Sequence, residues 1–321
     1  MHRCVCKSPR LDKPLSAGAC SAMRILPVIL LILTLLPFPP PVTGAPPHRA
    51  GDPPRPEGMP PEDALDLHCL RQAYPAIRAL ETDSRQRQWL VFADGRRVLY
   101  RDAARPMVPD GSPVHHGEGD VASSMAVPYP LEPERPPTPP GFAPGRLRSP
   151  ELLAALYGGD RKAVGAGLQT VLWQGRPVRL SAPAAGALAQ VAGRLDPVLA
   201  LQPALRPYLD PEGGFAWRRI AGEDRLSPHA FGIAIDINAR RAPYWRWSRA
   251  RPHPLQQTYP PEIVAAFEAE GFIWGGKWHE YDLMHFEYRP ELICKARLLR
   301  KRAQDAAPHV ERRLQEEQGH E

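Results

Sequence analysis

Cysteine is scarce in this chain and badly placed for a metal module: three of the five cysteines fall within the first 22 residues, and beyond residue 45 only Cys69 and Cys294 remain. Two cysteines near opposite ends of that remainder do not read as metal ligands. They read either as a disulfide formed in an oxidising compartment, tying an amino-terminal segment to the carboxy-terminal edge of the domain, or as two buried thiols. A membrane-spanning run is also lacking. The stretch ILPVILLILTLL, Ile25 to Leu36, has twelve residues, about 18 Å of helix against roughly 30 Å of hydrocarbon. With Met23-Arg24 before it and proline-rich sequence and VTGA after it, it reads as the core of an export signal cleaved near Gly44 or Ala45. The alternative is a short retained anchor. Once the signal is removed, no membrane span is expected. Charge of one sign is missing too: the formal +6 rests largely on residues 1–45, which hold five Lys/Arg and one acid. The remainder is nearly balanced and has no arginine-rich helix or glycine-and-aromatic RNA motif, so nucleic acid is excluded as a partner. No internal repeat is evident.

Proline, by contrast, is abundant, 41 residues where about 5% of a chain is usual. The prolines crowd three segments whose fixed φ and missing N–H discourage helix and interior strand. With 43% hydrophobic and 24% charged residues, the chain as a whole suits a soluble globular protein of one or two domains. The expected organisation is an upstream extension and export signal over 1–45, a proline-rich linker over 46–61, and an accessory helix and hairpin over 62–130. A proline-rich connection over 131–148 follows, then a main domain over 149–297 and a charged tail over 298–321. EDALDLHCLRQAYPAI predicts a helix ended by Pro75, and QWLVFADGRRVLYRD a hairpin turning at Asp94-Gly95. Ser149-Pro150 predicts a capped helix through ELLAALYGG; GRPVRLS reads as a strand, AAGALAQVAGRL as a helix, and YPPEIVAAFEAEGF as a proline-initiated helix.

The chemistry concentrates between Phe215 and Leu292. In FGIAIDIN, alternation puts Ile233, Ile235 and Ile237 on one face and Gly232, Ala234 and Asp236 on the other. The second face is an open floor carrying one carboxylate, and His229 precedes the strand where a turn can bring its ring over that floor. DLMHFEYRP repeats the design, setting His285 opposite an apolar face of Met284, Phe286 and Tyr288. If the two strands are neighbours, His229, Asp236 and His285 converge on one cation and leave a fourth position for water, the ligand count of a catalytic zinc.

These motifs carry a family resemblance. Ser227, His229, Gly232, Ala234 and Asp236 meet S-x-H-x-x-G-x-A-x-D, and Asp282 and His285 meet D-x-x-H. The region resembles the zinc D-alanyl-D-alanine carboxypeptidase and L-alanyl-D-glutamate peptidase family. The resemblance implies an α+β fold, a small antiparallel sheet flanked by helices as in Hedgehog domains, with Zn2+ held by His229, Asp236 and His285. It implies Asp282 as general base, with Glu280 and Glu287 as rivals, and an upstream arginine that steadies substrate and oxyanion: Arg218, or else Arg219 or Arg225. Ser227 and Trp245 are candidate substrate contacts, Trp245 with Tyr244 and Trp247 forming either a cleft wall or packing. Gly275 and Gly276 let backbone approach either a substrate or another strand. The implied activity is hydrolysis of an amide in peptidoglycan stem peptides by an exported enzyme of the periplasm or envelope. The alternatives are a zinc-stabilised Hedgehog-like binding module with little turnover and a structural envelope protein.

Overall fold

The computed structural model of the chain describes residues 58–102, 119–135 and 137–318. The export signal, its cleavage site and most of the first linker lie outside the described residues. Helix α1 (Pro61–Ala73) has proline in its first turn beside Glu62 and Asp63, where acidic side chains favour the helix dipole. It leads into the antiparallel sheet β1 (Ile77–Thr82), β2 (Arg87–Phe92) and β3 (Arg97–Asp102), in that order. The hairpin at Asp94-Gly95 joins β2 to β3. Strand β1 has no sequence signature because only Ile77 in it is fully buried.

Helix α2 (Val121–Met125) precedes α3 (Pro150–Tyr157), whose Ser149 cap accepts the Leu152 N–H at 3.2 Å. Helix α4 (Arg161–Ala166) ends at Gly167, and the hairpin β4 (Leu168–Trp173)/β5 (Arg176–Ser181) runs into the long helix α5 (Ala182–Leu201). The remaining elements are β6 (Pro211–Gly213), β7 (Ala234–Ile237), α6 (Leu255–Thr258), α7 (Pro261–Ala269), β8 (Phe272–Trp274), β9 (His285–Tyr288) and α8 (Pro290–Gln318). Strands β6, β7, β9 and β8, in that order, form a four-stranded antiparallel sheet. The fold is α+β. Helix α8 runs without a break from the main domain into the charged segment that begins at residue 298.

One face of the four-stranded sheet meets α5 and α7. Ile235, Ile237, Phe272 and Phe286 pack with Leu188, Val191, Ile263 and Phe267, and the Phe267 and Phe286 rings stack at 4.0 Å. A second apolar cluster joins α1, β2, β3 and α2 to α8 through Leu70, Leu90, Tyr100 and Ile293, and includes Ile273 and Trp278. A disulfide between Cys69 and Cys294 links α1 to α8. The proline-rich segment before α3 lies against the loop that follows β8: Phe142 O accepts the His279 N–H at 2.7 Å, and Pro144 O accepts the Trp278 indole N–H at 2.8 Å. Among the described residues, no helix is long and apolar enough to cross a membrane.

Candidate metal centre

Strands β7 and β9 pair so that Asp236 stands directly opposite His285 and Ala234 opposite Glu287. Because alternate residues share a face, Ile235 and Phe286 go to the core while Asp236, His285 and Glu287 face the other way. His229 reaches the same space from a single 3-10 turn, Pro228–Phe231. Ser227 caps that turn, its Oγ accepting the His229 N–H at 3.4 Å, and Gly232 closes it at φ 65°. A Cβ at Gly232 would fall 2.6 Å from Leu168 Cδ2 and 2.8 Å from Ser181 N. Glycine is therefore required there by backbone conformation and by the close passage of β5.

The ligand atoms of His229, Asp236 and His285 lie within 4.8 Å of one another. His229 Nδ1 is 2.7 Å from Gly214 O. A carbonyl can only accept, so the ring proton is on Nδ1 and the lone pair of Nε2 points inward. That Nε2 is buried, has no hydrogen-bond partner among the described residues, and sits 3.2 Å from Asp236 Oδ1. His285 Nδ1 is 3.0 Å from the same oxygen. Atoms that ligate one tetrahedral zinc at about 2.0–2.1 Å are roughly 3.3 Å apart, close to both separations. The three donors fit a metal ion.

Electrostatics agree. Burial acts to raise the Asp236 carboxyl, yet the imidazoles of His229 and His285 packed against it hold it well below the ordinary carboxylate range. Burial acts to lower the His285 imidazole, but its hydrogen bonds to Asp236 and Glu287 and the charges of Asp236 and Asp282 push it up to about 10. The pocket thus favours positive charge at the point where the donors meet, which a divalent cation supplies more strongly than a proton.

The three donors line a cavity of about 320 Å3, shared with Arg146, Arg218, Tyr244, Trp247, Trp278 and Asp282. Asp282 Oδ1 is buried without a hydrogen-bond partner among the described residues, and burial, opposed by His285 and reinforced by Asp236, pushes its carboxyl up to about 6. Its two rivals are engaged elsewhere: Glu280 pairs with Arg146 at 2.6 Å, and Glu287 is clamped by Arg148. The Asp282 N–H bonds Gly275 O at 2.9 Å, and a Cβ on Gly275 would lie 2.6 Å from Asp282 O. The close approach at Gly275 is therefore to this backbone. Of the three upstream arginines only Arg218 lines the cavity, its guanidinium 3.9 Å from Asp236 Oδ2 and its side chain 49% exposed. Arg219 bonds Asp224, and Arg225 is buried against Glu223.

Ser227 lines the cavity as well as capping the turn. Trp245 is not among the lining residues: Arg246 and Arg251 stack over its ring at 5.2 and 5.0 Å, and Trp247 lines the cavity instead. Three consecutive residues in a tight turn cannot all face one way, and the arginines claim the first indole. Arg146 and Arg148, both buried, line the same cavity, and sequence reasoning passed over them. They sit in proline-rich sequence without periodicity. The available signal was indirect: Glu287 shares the His285 face, and a carboxylate buried there needs a cation from elsewhere in the chain.

Residues 221–288 match the family model of D-alanyl-D-alanine carboxypeptidase. The matched stretch holds all three candidate metal donors, Asp282 and Glu287, and supports a peptidase, that is, a hydrolase; Arg146, Arg148 and Arg218 precede it. No curated protein and no solved structure matches the chain.

Proposed function

We propose that this chain is an exported zinc peptidase that hydrolyses an amide bond of peptidoglycan stem peptides, as a D-Ala-D-Ala carboxypeptidase or an L-Ala-D-Glu type endopeptidase. The observation that carries the reading is the convergence of His229, Asp236 and His285 in a cavity that also holds a buried oxygen of Asp282 with no partner among the described residues. The family match supports the reaction class. The apolar run Ile25 to Leu36 supports export, and the Cys69–Cys294 disulfide supports an oxidising destination.

Zinc bound by the three donors supplies Lewis acidity, polarising the scissile carbonyl and bringing the pKa of a water toward about 7. The chain does the rest. Asp282 takes the proton of the attacking water and hands it to the leaving amine, a role that suits a carboxyl raised toward neutrality. Arg218 stands beside Asp236, where its planar fork meets negative charge developing on the substrate oxygen, worth about 3 kcal/mol for one such donor. Tyr244, Trp247 and Trp278 offer flat apolar walls to the peptide.

Incubation of the purified protein with defined muropeptides, with and without a chelator, followed by mass spectrometry, tests the reading. Release of D-alanine or of a stem-peptide fragment, abolished by chelation and restored by zinc, is expected. Intact muropeptides in the presence of stoichiometric zinc overturn it and favour a binding module.

A further inference from the structure

His285 offers two nitrogens, and both face carboxylates: Nδ1 lies 3.0 Å from Asp236 Oδ1 and Nε2 lies 3.4 Å from Glu287 Oε2. Two residues along the same strand face, Glu287 is fully buried. Its other contacts are cationic. Arg148 approaches in a fork, Nε donating to Oε1 at 2.8 Å and Nη2 to Oε2, while Arg289 Nη1 lies 3.5 Å from Oε1. Arg148 is fixed in turn, its Nη1 donating to Arg146 O at 2.7 Å, and Arg289 Nη1 donates to Gly145 O at 2.8 Å. A carboxylate sealed from water and gripped by two guanidiniums stays an acceptor on the side it turns to the imidazole.

From this geometry we infer that Glu287, locked by Arg148, is a positioning residue for the metal centre: it holds His285 with its proton on Nε2 so that the Nδ1 lone pair is aimed at the ion. The inference rests on the zinc reading above. The two histidines are then set in opposite tautomers by different devices. His229 is set by the Gly214 carbonyl on Nδ1, and His285 by a carboxylate on Nε2. Such outer partners orient the ring and raise its basicity, and their loss typically costs 10–100-fold in metal affinity. The segment 145–149, before the matched stretch, thereby becomes part of the metal site without touching the ion. A purely structural Arg148–Glu287 pair would leave the imidazole free to choose either tautomer.

The decisive experiment is long-range proton–nitrogen NMR of the zinc-loaded full chain labelled with 15N-histidine, together with zinc titration against a chromophoric chelator. His285 is expected to carry its proton on Nε2 and His229 on Nδ1. Glu287→Gln is expected to bind zinc 10–100-fold more weakly with an unchanged near-ultraviolet circular dichroism spectrum, and Arg148→Gln to weaken it in the same direction. A His285 proton on Nδ1, or a folded Glu287→Gln that binds zinc within twofold of wild type, overturns the inference alone. Wild-type protein that binds no zinc overturns both the inference and the reading beneath it. Should Glu287→Gln fail to fold, with Arg148 left buried and unpaired, the wild-type tautomer decides.

Discussion

Replacing Gly232 with alanine tests how the turn that carries His229 is held. The residue sits at φ 65°, where an added Cβ costs about 1–2 kcal/mol. That Cβ would also lie 2.6 Å from Leu168 Cδ2 and 2.8 Å from the backbone nitrogen of Ser181. The leucine can swing aside, but the nitrogen cannot without breaking its 2.7 Å bond to Gly232 O, so an overpacking cost of about 1–3 kcal/mol is added. Gly232→Ala should therefore lose about 2–5 kcal/mol in urea unfolding and bind zinc more weakly, since the turn it closes aims His229 Nε2. Gly186→Ala is the internal control. Gly186 is exposed in α5 with no described residue within 4 Å of an added Cβ, and alanine there should gain about 0.5–1 kcal/mol. Equal stabilities for Gly232→Ala and wild type would refute the account of this turn.

Two other outcomes follow from the site and one from the disulfide. Asp282→Asn should keep zinc and lose about 10²–10⁴-fold in muropeptide hydrolysis, the usual contribution of a general base; turnover at the wild-type rate would remove Asp282 from the mechanism. Arg218→Ala should lower kcat about 10²-fold or more while zinc affinity stays unchanged, as one oxyanion donor is worth, and a loss of zinc instead would assign it to the metal. Reduction of Cys69–Cys294, which joins residues 225 positions apart, should cost about 2–5 kcal/mol. Denaturant curves with and without reductant would show this, and coincident curves would mean that the packing of α1 on α8 suffices.

The convergence of the candidate metal donors was legible because strand alternation determines which residues share a face. Ile235 and Phe286 mark the buried side, so Asp236 and His285 had to point away from it. Alternation alone leaves open which residue stands opposite which, and the Asp236–His285 register comes from tertiary packing of β7 on β9. What escaped was long-range pairing. Arg148 and Glu287 are 139 residues apart, and nothing periodic marks an arginine in proline-rich sequence as buried. The same holds for Tyr129, whose hydroxyl bonds Glu268 at 2.8 Å and accepts the Trp274 N–H at 2.9 Å, making a segment that reads as a connection into a strap over β8. Strand β1 escaped for the opposite reason: with little buried surface, it pairs through its backbone and shows no alternation.

X-ray absorption spectroscopy of the zinc-loaded protein addresses the central claim most directly. The account predicts one zinc per chain, coordinated at about 2.0–2.1 Å by two imidazole nitrogens and two oxygens, one from Asp236 and one exchangeable. A single imidazole in the coordination shell, four protein ligands, or no zinc retained at stoichiometric addition would contradict it.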